Sequence, residues 1–375
     1  MQTGLNETRQ LIRNDQKEYR KKKYTMIAVM AAVLMVSLCL KTEKHGFVPP
    51  LEVLANYRTW LEINIGKVCG LEVYLRRAQI IAGMPTYTDS INRLMITAVA
   101  FICGVLLSMA GALFQAVFRN PIAAPTMLGV NTGVSLGILV LVLQYGGAAL
   151  YMPKEKYICC YIGAAGMLAL VMIMGKLSSG RRKFAVTDLL IVSAIVSQVV
   201  GAVQTYYTFS MENDEVLLLQ QIRNAMDLNV EPVSLLFLAI ATVVCMVPVF
   251  LLRFSLNAVS FVSDEARSLG VNTFTIKITA LLTGTFMVTA AMVHCGAVGM
   301  ISLIVPFMSR AMFGADFRKV FTGNILIGGT LLVICREIAG QIYLTADGIP
   351  AGTVVDFIAM PVFVIIIVSQ RRIWE

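Results

Sequence analysis

Of 375 residues, 57% are hydrophobic and only 14% charged, with a mean hydropathy of +0.76. Soluble domains run near a quarter charged, so the composition excludes an ordinary water-soluble globule and points to a chain that lives in a bilayer. The formal charge of +9 does not imply a nucleic-acid partner: the basic residues sit in short loops and at the two ends, with no basic stripe interleaved with aromatics.

In chain order, residues 1–23 are polar and end in Arg20, Lys21, Lys22 and Lys23. They are too long and too charged for a signal-peptide n-region, and no small-residue cleavage site follows, so an uncleaved cytoplasmic basic tail is expected. A first apolar run covers Tyr24–Leu40. The mixed segment 41–92, with Pro49 and Pro50, is expected to hold amphipathic or short helices on the outer side. Further spans are expected at 93–114, 125–145, 157–175, 185–207, 233–252, 276–296, 299–313, 321–345 and 350–370; they are runs of roughly 17 to 25 apolar residues, the length that crosses a hydrocarbon core of roughly 30 Å. The short 299–313 element could also be re-entrant. The fold class read from this pattern is an all-α polytopic membrane protein with about ten transmembrane helices, a single transmembrane domain over 24–375, and both termini cytoplasmic.

Charge agrees with that topology. Counting helix-end residues such as Lys277 and Arg310, twenty of the 31 Lys and Arg fall on the expected cytoplasmic side, and the loops opposite carry Glu212, Asp214, Glu215 and Asp347. This asymmetry is what the positive-inside rule produces. Glycine and other small residues are dense within the spans, from Gly104, Ser108 and Gly111 to Gly201, Gly284, Gly328 and Gly329. They let helix backbones approach where lipid supplies no hydrophobic drive, so a tightly packed bundle is expected. The eight cysteines form no CxxC pair and His45 and His294 are the only histidines; the cysteines read as small apolar filler and no metal site is expected.

Several stretches carry more information. In Gly111–Gly137, GALFQAVFRNPIAAPTMLGVNTGVSLG, Asn120-Pro121 stops a helix because proline lacks the amide hydrogen and disfavours helix in the residue before it. Pro125 restarts the chain after a tight turn capped by Arg119, and Gly129, Gly133 and Gly137 recur at i+4 as a small-residue face. The loop 253–275 holds Asp264, Glu265, Ala266, Arg267, Ser268, Leu269 and Gly270, a short amphipathic helix ended by glycine. No G-x-x-x-x-G-K-[ST] occurs, so the chain cannot cradle ATP phosphates in that way. H-E-x-x-H is likewise missing, and no catalytic residue is expected.

Together with CGAVGMISLIVPFMSRAMFGADFRKV (Cys295–Val320) and IPAGTVVDFIAMPVF (Ile349–Phe363), these stretches resemble the FecCD family of ABC-importer permeases, which serve iron-siderophore, haem and cobalamin uptake. The resemblance runs from about residue 93 to the C-terminus. It marks Gln115, Arg119, Asn120, Pro121, Pro125, Gly129, Gly133, Pro306 and Arg310 as motif and turn residues, and implies that Asp264–Gly270 forms the coupling helix seated in a cleft of an ATPase subunit. It further implies a prokaryotic cytoplasmic-membrane location, lipid contact, a second permease copy or paralogue completing a dimer, and a substrate-binding (lipo)protein. ATP and Mg would be used by the ATPase partner, with no cofactor in this chain. Arg58, Lys67, Arg76 and Arg77 run against the positive-inside trend and are the expected docking residues for the binding protein; headgroup contact or an internal ion pair is the alternative.

The sequence departs from the family pattern at Ala297, where proline is usual, at Ser302 for glycine and Phe307 for histidine, and at Met360. Arg336, Glu337 and Asp356 are unexpected charges within spans. Intramembrane ions are costly and usually face the bundle or a watery cavity, and an Arg336–Asp356 pair between antiparallel helices is expected. An ion-gradient-driven secondary transporter, with Asp356 or Glu337 as the ion site, is the alternative function.

Overall fold

The computed structural model describes residues 2–40, 47–69, 85–179, 186–224, 232–260, 273–341 and 351–374. Among them are twelve α-helices: α1 (Gln2–Cys39), α2 (Pro50–Cys69), α3 (Pro85–Phe118), α4 (Val130–Tyr145), α5 (Pro153–Ser179), α6 (Val186–Phe209), α7 (Asn213–Asn224), α8 (Pro232–Ser260), α9 (Thr273–Cys295), α10 (Ile301–Phe313), α11 (Phe317–Gln341) and α12 (Ala351–Trp374). Eight are long and apolar enough to cross a membrane, and α10 and α12 contribute shorter apolar segments. Those ten coincide with the ten expected spans. Two details differ. The polar tail at 2–23 continues α1 as one helix, and α7 was not foreseen.

The bundle is built around α3. Of its most apolar stretch, 78% is buried, against 17% for α8 and 22% for α6 at the periphery. Leu106, Leu107, Met109, Leu113 and Phe114 of α3 are fully buried against α8, α9, α10 and α11. Such close packing without a hydrophobic drive needs small residues. A Cβ on Gly133 would lie 2.5 Å from the Gly163 carbonyl oxygen, and one on Gly163 would lie 2.2 Å from that of Gly133, so α4 and α5 touch backbone to backbone. Gly201, by contrast, faces open space on the outer surface of α6.

The Arg119–Asn120–Pro121 turn forms as the residues require. Arg119 takes a left-handed φ of 50°, and Asn120 Oδ1 accepts from Ile122 N at 3.0 Å. A 3-10 turn, Pro125–Leu128, follows and ends on Gly129 at φ 72°, where a side chain on an L-residue would be strained. Ser193 of α6 donates to the Met127 carbonyl and Gln204 donates to that of Thr132 at 2.9 Å, seating α6 across this turn and the start of α4.

Candidate functional site

Two polar assemblies stand at opposite ends of the apolar bundle. The first lies at the end carrying the Arg119 turn. Pro306 falls inside α10 and has no amide hydrogen for the Ser302 carbonyl four residues earlier. That carbonyl lies against Gly111 of α3, where an added Cβ would sit 1.7 Å from the oxygen. One residue further on, the Leu303 carbonyl accepts from Gln115 Nε2 at 3.0 Å, and Gln115 Oε1 accepts from Arg310. Gln115, Pro306 and Arg310, drawn from two separate motifs, thus meet as one brace between α3 and α10. Ser309 Oγ donates to Asn324 Oδ1 at 2.7 Å, and Ser108 Oγ donates to the Asn324 carbonyl at 3.1 Å, extending the brace to α11.

Beside it, Asp316 starts α11. Its carboxylate accepts from the Arg318 backbone N–H at 3.0 Å, from the Arg318 guanidinium and from Asn257 Nδ2 at 2.9 Å, while Asn257 Oδ1 accepts from Phe317 N at 2.8 Å. Asn257 therefore ties the end of α8 to the start of α11. Lys319 pairs with Asp15 of α1 at 2.8 Å, and Tyr19 meets Phe313 edge to face at 5.8 Å. Hydrogen bonds from Arg318 hold the Asp316 carboxyl at about 2, well below the usual range. A carboxyl depressed on folding contributes stability above its unfolded pKa of about 3.9 and loses it as pH falls through the folded value. The apparent melting temperature of the purified chain should thus fall on acidification below about pH 4. Asp316→Asn should be less stable at neutral pH, with the two melting curves converging toward pH 2; parallel curves would exclude this role.

The second assembly lies at the other end. Glu337 of α11 accepts from Arg93 Nη1 of α3 at both carboxylate oxygens (3.0 and 2.9 Å), from Arg336 Nη1 at 3.0 Å and from Ser37 Oγ of α1 at 2.8 Å. Ser37 and Thr97 hydroxyls lie 2.8 Å apart. The side chains of Arg93, Arg336 and Glu337 are 3%, 8% and 13% exposed, so this is a buried charge cluster. At the same end, Tyr157 of α5 and His294 of α9 share a hydrogen bond of 2.6 Å.

The expected Arg336–Asp356 pair is corrected by this arrangement. Arg336 bonds to Glu337, its neighbour in sequence, and Asp356 lies exposed on α12, in no ion pair among the described residues. Residue spacing placed both charges at similar depth but did not fix their rotation about the two helix axes. Arg93, Ser37 and Thr97 were missed. A signal existed: Arg93 and Thr97 are four apart and share a helix face, but Arg93 at the start of an apolar run read as a boundary residue.

Of the other expected site residues, Asp264–Gly270, Arg76 and Arg77 lie outside the described residues. Lys67 belongs to α2, and Arg58 on the same helix is exposed and paired with Glu62 at 2.9 Å. Among the described residues no group of three or more His, Cys, Asp or Glu could hold a metal ion.

An apolar helical bundle of this length, braced by polar clusters at both ends, has the architecture of a polytopic transport permease. The fold is shared with a solved structure described as a metal-chelate type ABC transporter in an inward-facing conformation, with a TM-score of 0.71 at 19% identity over 93% of this chain and 99% of that one. The model of the FecCD transport family matches residues 80–369, and the chain belongs to that family of ABC permeases. Similar proteins include the hemin transport system permease protein HmuU of Yersinia pestis and the iron-uptake system permease protein FeuC of Bacillus subtilis (strain 168). Each is 26% identical, over 75% of this chain and 83% of the relative.

Proposed function

We propose that the chain is the membrane subunit of an ATP-driven importer that carries an iron-siderophore or related metal chelate across the cytoplasmic membrane of a prokaryote. The observation that carries this reading is the FecCD match over 80–369, supported by two relatives named for hemin transport and for iron uptake. A second permease, as copy or paralogue, would complete the pathway. ATP and Mg would act on separate ATPase subunits, and a substrate-binding protein would deliver the chelate from outside. The segment Asp264–Gly270 follows α8, whose end Asn257 links to α11. A push on that segment from an ATPase would then reach α8 and α11 together, as rigid-body coupling requires.

Glu337 does not favour an ion-gradient mechanism, because its carboxylate is already held by Arg93, Arg336 and Ser37. The test is a mild-detergent pull-down of the tagged full chain from its native cells, with partners identified by mass spectrometry and chelate uptake measured with and without ATP depletion. Recovery of an ATPase and loss of uptake on depletion support the importer. Uptake that persists on an ion gradient, with no ATPase recovered, overturns it.

A further inference from the structure

The geometry points to a binding site for an anionic phospholipid on the outer face of α8 and α11, in the leaflet on the side of the Arg119 turn. Val243, Met246, Val247, Phe250 and Leu251 of α8, with Phe321 of α11, line an open apolar groove of about 310 Å³. These α8 positions follow a spacing of three and four, so they form one helix face. At the groove's end the Arg253 guanidinium lies 3.6 Å from the Phe250 ring centroid and 5.0 Å from that of Phe254. From Val243 to Arg253 is about 15 Å at the helical rise, about half the hydrocarbon thickness. The groove is therefore one leaflet deep, with its cation near the end of the apolar span Ser234–Asn257.

Charge decides the occupant. The neighbouring cations are engaged: Arg318, 5.4 Å from the Phe254 ring, pairs with Asp316, and Lys319 pairs with Asp15. Arg253 is in no ion pair among the described residues, and stacking on two aromatic faces holds its guanidinium in place without neutralising it. An acyl chain fits the apolar groove, and a phosphate at the membrane surface is the anion that a guanidinium there receives. A neutral zwitterionic lipid would fill the same groove with less gain.

Native mass spectrometry of the full chain in mild detergent, with phosphatidylglycerol or phosphatidylcholine added, tests the site. We expect phosphatidylglycerol to be retained about fivefold better, the effect of one basic residue near an anionic headgroup. Arg253→Gln should reduce that preference to parity, while Lys176→Gln, at an exposed cation on α5, should leave it intact. Val247→Trp, which fills the groove and keeps the cation, should lower retention of both lipids and stands as an independent test should Arg253→Gln not fold. Equal retention of the two lipids by the unmodified chain overturns the proposal. So does an undiminished preference in Arg253→Gln, or a Val247→Cys disulfide between two copies in native membranes. Because the readout is lipid retention, it stands or falls apart from the importer reading.

Discussion

Glu337→Gln should cost about 3–5 kcal/mol of stability, the loss seen when one partner of a buried ion pair is removed and an uncompensated charge remains. The cluster it anchors holds two guanidinium groups and one carboxylate. Replacing the carboxylate by a neutral amide of the same shape leaves two buried cations facing each other. Arg93→Met is the informative contrast: it keeps most of the volume and leaves Glu337 paired with Arg336 and bonded to Ser37. Its effect should be less than about half that of Glu337→Gln, because the remaining pair is neutral. Apparent melting temperature and the folded fraction on size exclusion in detergent measure both. Equal shifts for the two variants would mean that packing, not charge balance, sets the cost.

The sequence made the spans legible because lipid imposes a length and a composition on each of them. All ten apolar runs became helices, and the Asn120-Pro121 stop fell where proline geometry demands. What stayed hidden was rotation about the helix axes. Spacing says how deep Arg336 and Asp356 lie, but only packing decides that Arg336 bonds to its neighbour Glu337 and that Asp356 faces out. The helix α7 shows a different kind of loss. Its Leu218, Leu219 and Ile222 are buried, its first turn carries Asp214 and Glu215, and Arg223 donates to Ser135 at 3.1 Å. Apolar residues at i, i+1 and i+4, with acids leading and a base trailing, mark a short amphipathic helix. Its three buried apolar residues are too few to stand out beside the longer apolar runs on either side. The brace of Gln115, Pro306 and Arg310 was half legible: each residue stood out within its own motif, but their meeting across 195 positions is a fact of the fold.

Gly111→Val should be among the most damaging single changes in the bundle. A Cβ there would lie 1.7 Å from the Ser302 carbonyl oxygen and 2.5 Å from its carbon. The obstacle is backbone, so no side-chain rotation relieves it, and α3 and α10 must move apart. Overpacking of a core costs about 1–3 kcal/mol where neighbours can adjust, and occasionally more; two rigid helices should put this site at or above the top of that range. Separation would also pull Gln115 from Leu303 and Arg310, leaving buried polar groups unmatched. Pro306 makes the case testable beyond a loss of yield. Pro306→Ala supplies an amide hydrogen that can draw the Ser302 carbonyl back along the axis of α10, away from α3. The double variant Gly111→Ala with Pro306→Ala should therefore lose less stability than the two single changes added together. Melting temperatures of the four proteins close the cycle, with a coupling of about 0.5 kcal/mol or more expected for residues that act on one contact. Strict additivity would show that the proline does not set the position of the carbonyl, and would reduce the α3–α10 brace to the Gln115 and Arg310 bonds alone.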